Sequence, residues 1–203
     1  MHIAEGVLNV PVLVTGAVIG LTGVAVGLKR LKDENLMFAG MLGAAFFVAS
    51  LIHVPVGMGS AHLILNGLLG VFLGTAAFPV ILISLLLQAV LFQFGGLTVL
   101  GVNTATMGLG ALSAYYLFHS LSNRIGVSWS GLIAGFSGVF VAGLLTALAL
   151  GFSDEGFVGA AIAIFLSNLP VMIAEALITL FIVRYIQRVR PGLLNGFQTR
   201  NQE

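Results

Sequence analysis

Residues 10–28 read VPVLVTGAVIGLTGVAVGL, and this stretch decides the fold class. It carries no charge. As a helix rising 1.5 Å per residue it spans about 28 Å, close to the roughly 30 Å hydrocarbon core of a bilayer. Gly16, Gly20, Gly23 and Gly27 recur at helical spacing. Small residues so placed let neighbouring membrane helices approach closely. Further apolar segments follow at 36–52, 62–76, 79–93, 104–120, 127–152 and 157–185. The third is short enough to be a buried helix instead. Asn168-Leu169-Pro170 interrupts the last, because proline lacks an amide hydrogen and kinks or restarts a helix. Runs this continuous do not fit a membrane barrel, which alternates every second residue. The sequence predicts an all-α membrane protein of about seven transmembrane helices in a single domain spanning 1–203.

Composition agrees. Hydrophobic residues make up 59% of the 203 and charged ones 7%, against roughly 25% charged in soluble domains. Mean hydropathy is +1.12. A net charge of +1 offers no basic surface for nucleic acid, and the absence of cysteine excludes thiolate metal sites and thiol catalysis. With seven spans, Lys29, Arg30, Lys32, Arg124, Arg184, Arg188, Arg190 and Arg200 all fall on one side. The positive-inside rule makes that side cytoplasmic. The N-terminus is then outside, and 191–203 is a cytoplasmic tail. No signal-peptide pattern precedes the first span, so the first residues are expected to survive in the mature protein.

Polar residues then need reasons. His2, His53 and His62 map to the external face, and His119 lies near the other end of its span. Neutral imidazole is the commonest metal ligand and suits nickel, copper, cobalt and zinc. The terminal amine, the amide nitrogen of residue 2 and the His2 imidazole can close two fused chelate rings. A fourth nitrogen would complete a square plane, as expected for nickel(II) or copper(II). A frayed terminus is the competing reading, but Ile3 to Leu8 is apolar enough to tuck between helices. Glu5 is either a solvated carboxylate or a partner orienting an imidazole. His53 and His62 flank a Pro- and Gly-containing connection, and His62 is the stronger ligand candidate. Asn103 is either a helix N-cap or an amide holding a ligand or the N-terminal segment. Glu175 is the only charge in the interior of a span, Arg184 lying at the cytoplasmic end of the last one, with Pro170 before it and Thr179 one turn on. With no second buried charge, a partner-facing or structural role is expected rather than ion relay. Asn66, Gln88 and Gln93 are read as amides joining helices.

Four motifs together carry a family resemblance. They are Met1-His2-Ile3-Ala4-Glu5-Gly6, Ser60-Ala61-His62-Leu63, the run FGGLTVLGVN at 94–103, and Leu169-Pro170 with Glu175. They resemble the CbiM/NikM family, the substrate-capture subunits of energy-coupling-factor uptake systems for cobalt and nickel, over essentially the whole chain. The resemblance implies an external metal site made by the Met1 amine, the His2 amide and imidazole nitrogens, and His62. It also implies docking on a transmembrane coupling subunit and cytoplasmic ATPase subunits in the inner (plasma) membrane, with Co2+ or Ni2+ as substrate and no cofactor. A small accessory membrane subunit would be a separate chain. The chain carries no phosphate-binding Gly-x-x-x-x-Gly-Lys loop of its own. Ala4-Glu5 stands where the usual NikM start has Pro-Asp, which leans to cobalt. The loop at Pro55 lacks the second proline usual before the ligand histidine, so the choice of metal stays open.

Competing classes are weaker. An intramembrane metalloenzyme would carry His-Glu-x-x-His, which is absent, so no enzyme activity is expected. A self-contained metal permease would want repeats or chains of buried carboxylates. A vitamin-type capture subunit would want an aromatic pocket.

Overall fold

The computed structural model describes residues 3–56 and 59–195, with 53–56, 59–61 and 195 described by backbone alone. Met1, His2 and the tail from 196 lie outside the described residues. The architecture is all-helical apart from one short hairpin. The elements are α1 (Val10–Arg30), α2 (Asp33–Leu51), β1 (His53–Val56), β2 (Gly59–His62), α3 (Asn66–Leu73), α4 (Ala77–Phe92), α5 (Leu100–Ile125), α6 (Val127–Ser153), α7 (Val158–Ser167) and α8 (Leu169–Val189).

Five stretches are long and apolar enough to cross a membrane: Val10–Arg30, Asp33–Leu51, Asn66–Phe92, Val127–Ser153 and Glu155–Val189. Their outward faces are apolar, as with Val14, Val18 and Leu21 on α1 and Leu86 and Val90 on α4. Helix α5 is also long, but it buries Asn103, Thr104 and Thr106. It tolerates them because α1, α3, α4 and α6 all pack around it.

Glycine sets the packing. The buried face of α1 is Gly16, Gly20, Val24 and Gly27. A methyl group on Gly20 would lie 2.6 Å from the Gly101 carbonyl oxygen of α5, and one on Gly16 would lie 2.4 Å from Val102. Gly20 also meets Ala105, and Gly23 and Gly108 both meet Phe78, so α1 and α5 run in the same direction. Gly110 of α5 meets Gly138 and Ala142 of α6, while Gly135 and Gly131 of α6 meet Glu175 and Leu180 of α8. Helix α6 is therefore antiparallel to both neighbours. So α1, α5 and α8 end together, and Lys29, Arg30, Arg124 and Arg188 occupy their last turns. The described basic residues gather at one end of the bundle.

The third predicted segment needs correcting. It does not begin as a helix at His62. That residue ends β2, which pairs antiparallel with β1, His53 opposite His62. Helix α3 has eight residues, about 12 Å at 1.5 Å each, too short to span. It runs across the bundle: Gly67 lies against Gly135 of α6, Gly70 against Ala111 of α5, and Thr75 against Gly27 of α1. Gly74, at φ 54° and ψ −124°, turns the chain into α4. Helix α4 then runs parallel to α2, where Ser84 donates to the Gly43 carbonyl and Gln88 to Ser50. The predicted break in the last segment is present. Helix α7 ends at Ser167, and Pro170 sits in the first turn of α8, where its missing N–H costs nothing.

Candidate metal centre

Two non-helical segments enter the bundle at the end opposite the basic residues. The first is the N-terminal segment. Ile3 is buried in a cluster with Leu8, Val99, Val102, Ala149, Leu150 and Ala161. Its main chain is held at both polar atoms by one side chain. The Ile3 N–H donates to Asn103 Oδ1 at 3.1 Å, and Asn103 Nδ2 donates to the Ile3 carbonyl at 3.2 Å. An amide side chain thus takes the place of a neighbouring strand. Asn103 is not the N-cap of α5; that position is Val99. Glu5 Oε1 accepts from the Thr98 N–H at 3.1 Å, so it braces the segment against the loop before α5. That loop makes room through Gly96, at φ 143°, where a methyl would fall 1.9 Å from the Glu5 side chain. Asn9 finishes the anchoring. It caps α1 through Val12 N–H, and its Nδ2 donates to the Phe152 and Ser153 carbonyls at the end of α6.

The second segment carries His62, which is 4% exposed. Its Nδ1 donates to the Leu63 carbonyl oxygen at 3.1 Å. A carbonyl only accepts, so in the neutral ring the lone pair sits on Nε2, the tautomer that suits a metal ligand. Strand β2 packs on α2 and on α7, and Ala161 of α7 belongs to the Ile3 cluster. The two segments therefore share a neighbour.

After His62 the chain runs through residues 63–65 without helix or strand, and Ile64 and Leu65 are buried in the bundle. Its backbone needs partners there, since no water reaches a membrane interior to supply them. Glu175 of α8 supplies them: the Ile64 and Leu65 N–H groups both donate to its Oε1. Leu65 has φ 54°, a left-handed conformation costing about 1–2 kcal/mol for a non-glycine residue. Glu175 and Asn66 are fully buried. Glu175 Oε2, both polar atoms of the Asn66 side chain, and Thr179 Oγ1 have no hydrogen-bond partner. The expectation that Asn66 joins helices through its amide is thus not met. Gln93 likewise ends α4 at φ 59°. Gln88 does join α4 to α2. His119 donates from Nδ1 to the Tyr115 carbonyl one turn back and lies far along α5 from Asn103.

Among the described residues no three His, Asp or Glu side chains come together. Met1 and His2 lie outside the described residues, and so does the His53 side chain. Sequence reasoning missed the hairpin, the strained Leu65 and the partner of Glu175. The paired β-branched run Val54-Pro55-Val56 and the glycines at 57 and 59 were the available signal for the hairpin.

Residues 2–193 match the profile of CbiM, described as the cobalt uptake substrate-specific transmembrane region. The chain belongs to the CbiM family. A Haemophilus influenzae chain named for metal transport is 43% identical over 203 residues, covering 96% of this chain and 97% of its own. The cobalt transport protein CbiM of Sorangium cellulosum is 34% identical, covering 98% and 96%. A crystal structure of a transition metal transporter superposes with a TM-score of 0.82 at 29% identity, covering all of both chains. As a CbiM-family protein the chain is a membrane component of cobalt or nickel uptake.

Proposed function

We propose that this CbiM-family chain captures cobalt(II) or nickel(II) at the external membrane face. The Met1 amine, the His2 amide and imidazole nitrogens and His62 Nε2 provide the four ligands. The observation that carries the reading is the Asn103 clamp on Ile3. It fixes residue 3 inside the bundle, and the two residues before it reach at most about 7 Å of chain. The His62 tautomer supports the same centre. Asn103 holds the N-terminal segment, while Glu175, Pro170 and Thr179 belong to the helix behind the His62 segment. His53 stands opposite His62 in register and is a reserve ligand.

The remaining organisation follows. The single membrane domain passes seven times, with the non-helical linker and crosswise α3 making the third passage. The N-terminus is external, residues 1–8 form the metal-binding segment, and the basic end with the tail at 191–203 is cytoplasmic. There it docks on the coupling subunit and the ATPases of an energy-coupling-factor system in the inner membrane. A vitamin-type ligand is disfavoured by the lining of a lateral cavity of about 440 Å³ between α1, α5 and α6. Phe152 is its only aromatic lining residue.

The test is nickel(II) and cobalt(II) titration of protein with a native N-terminus, beside a variant with one alanine inserted between Met1 and His2. The insertion keeps every side chain and changes the chelate rings. Binding by the native chain and its loss on insertion is the expected result. Equal binding by both would place the site elsewhere and overturn the reading.

A further inference from the structure

Among the described residues Glu175 is the one acid buried in the helical bundle, and its contacts fall on the chain just after His62. Between His62 and α3 lie only Leu63, Ile64 and Leu65. Two of their three N–H groups end on a single carboxylate oxygen. Ile64 is two residues beyond His62, and two residues of chain reach at most about 7 Å, so the grip begins within about 7 Å of the His62 Cα. The grip is fixed from behind. A methyl on Gly135 would meet the Glu175 carbonyl at 2.6 Å and the Ala176 Cα at 2.8 Å. A methyl on Gly67 would meet the Gly135 Cα at 2.4 Å. Helices α3, α6 and α8 therefore touch backbone to backbone at this level, which fixes the backbone that carries the carboxylate.

We infer that Glu175 is the positioning residue of the metal centre: by holding the Ile64 and Leu65 N–H groups it sets where the His62 imidazole stands. The inference rests on the proposed function, in which His62 is a ligand. It assigns Glu175 no contact with metal and no part in moving protons. What matters is an acceptor atom at Oε1, not the negative charge. The second oxygen has no partner, so an amide NH2 in its place loses no hydrogen bond.

The experiment compares Glu175→Gln, Glu175→Met and His62→Ala with the unsubstituted chain, all with native N-termini, using nickel(II) alone as the probe. Affinity is read by titration and coordination by the visible absorption of the nickel centre at saturation. Glu175→Gln keeps an oxygen acceptor and is expected to hold affinity within about threefold and leave the spectrum unchanged. Glu175→Met keeps the length without an acceptor. It is expected to weaken binding at least tenfold and to give the His62→Ala spectrum, because the imidazole no longer reaches the metal. Adding Glu175→Met to His62→Ala is expected to cost no further affinity, since the two act through one ligand. A wild-type spectrum from saturated Glu175→Met would overturn the inference, because a residue serving only stability lowers the folded fraction without altering the centre. So would a tenfold loss from Glu175→Gln, which alone decides the matter if the methionine variant does not fold. If the unsubstituted chain binds no metal, the proposed function itself fails, and the inference with it.

Discussion

Two non-helical segments carry the ligand candidates, and they are held in different ways. The N-terminal segment is held by a neutral amide. Asn103 gives one bond and takes one, in the first turn of α5. The His62 segment is held by a carboxylate that takes two N–H groups and returns none. The first arrangement resembles a strand pairing and can be remade at each encounter. Membrane hydrogen bonds of this kind average about 0.6 kcal/mol, so the pair is worth roughly 1 kcal/mol. The second sits where three helix backbones touch at glycines. Releasing it would strand two main-chain donors, at about 1–3 kcal/mol each. In the proposed centre, this difference makes the N-terminal segment the removable half and the His62 segment the fixed half. Tight capture and later release would then follow from moving the first against the second.

The largest effect is expected at the fixed side. Gly135→Leu places a side chain where the Gly67 and Ala176 backbones already lie. Backbone cannot yield as a flexible side chain can, so α8 must separate from α6. The thermal midpoint should fall by more than 10 °C and metal binding should be lost. A stable, metal-binding Gly135→Leu protein would break the claim that this side is rigid.

Next comes Asn103→Ala. It removes both bonds to Ile3 and leaves the His62 segment untouched. Affinity for nickel should fall about tenfold, which is about 1.4 kcal/mol, with a midpoint shift of only a few degrees. Isothermal titration and a melting curve read the two separately. A large midpoint loss with unchanged affinity would reverse the assignment.

Gly96→Ala tests the brace behind the N-terminal segment. Its methyl would displace the Glu5 side chain from Thr98, and its φ of 143° adds strain. A loss of about threefold in affinity is expected. Gly40→Ala is the matched control, since nothing lies within 4 Å of the new methyl. It should leave both affinity and midpoint unchanged, and Ser50→Ala at the α2–α4 contact should leave affinity unchanged.

How much of this was legible in the sequence depended on periodicity and on chemistry with few partners. Spans such as 10–28 and 127–152 were readable because lipid-facing helices are apolar throughout, and their limits match α1 and α6 closely. The break at Asn168 to Pro170 was readable because proline's missing donor is a local property. His62 stood out as an imidazole beside a turn. Helix α3 was left open between a span and a buried short helix, and it is the latter; its start was placed too early, at His62, because apolar residues crossing a bundle have the same composition as the middle of a span. Asn103 was read either as an N-cap or as an amide holding a ligand or the N-terminal segment, and the fold decides for the N-terminal segment, with residue 3 as its partner. Glu175 was recognised as a buried acid in need of partners. Those partners are main-chain N–H groups more than a hundred positions earlier, and backbone donors leave no mark in sequence.

The account's central claim is that one metal centre joins the removable segment to the fixed one. X-ray absorption fine structure of the nickel-loaded protein with a native N-terminus tests it most directly. The account predicts four nitrogen neighbours including two imidazoles, falling to one imidazole in His62→Ala. An oxygen-rich six-coordinate centre, or an imidazole count unchanged by His62→Ala, would contradict it.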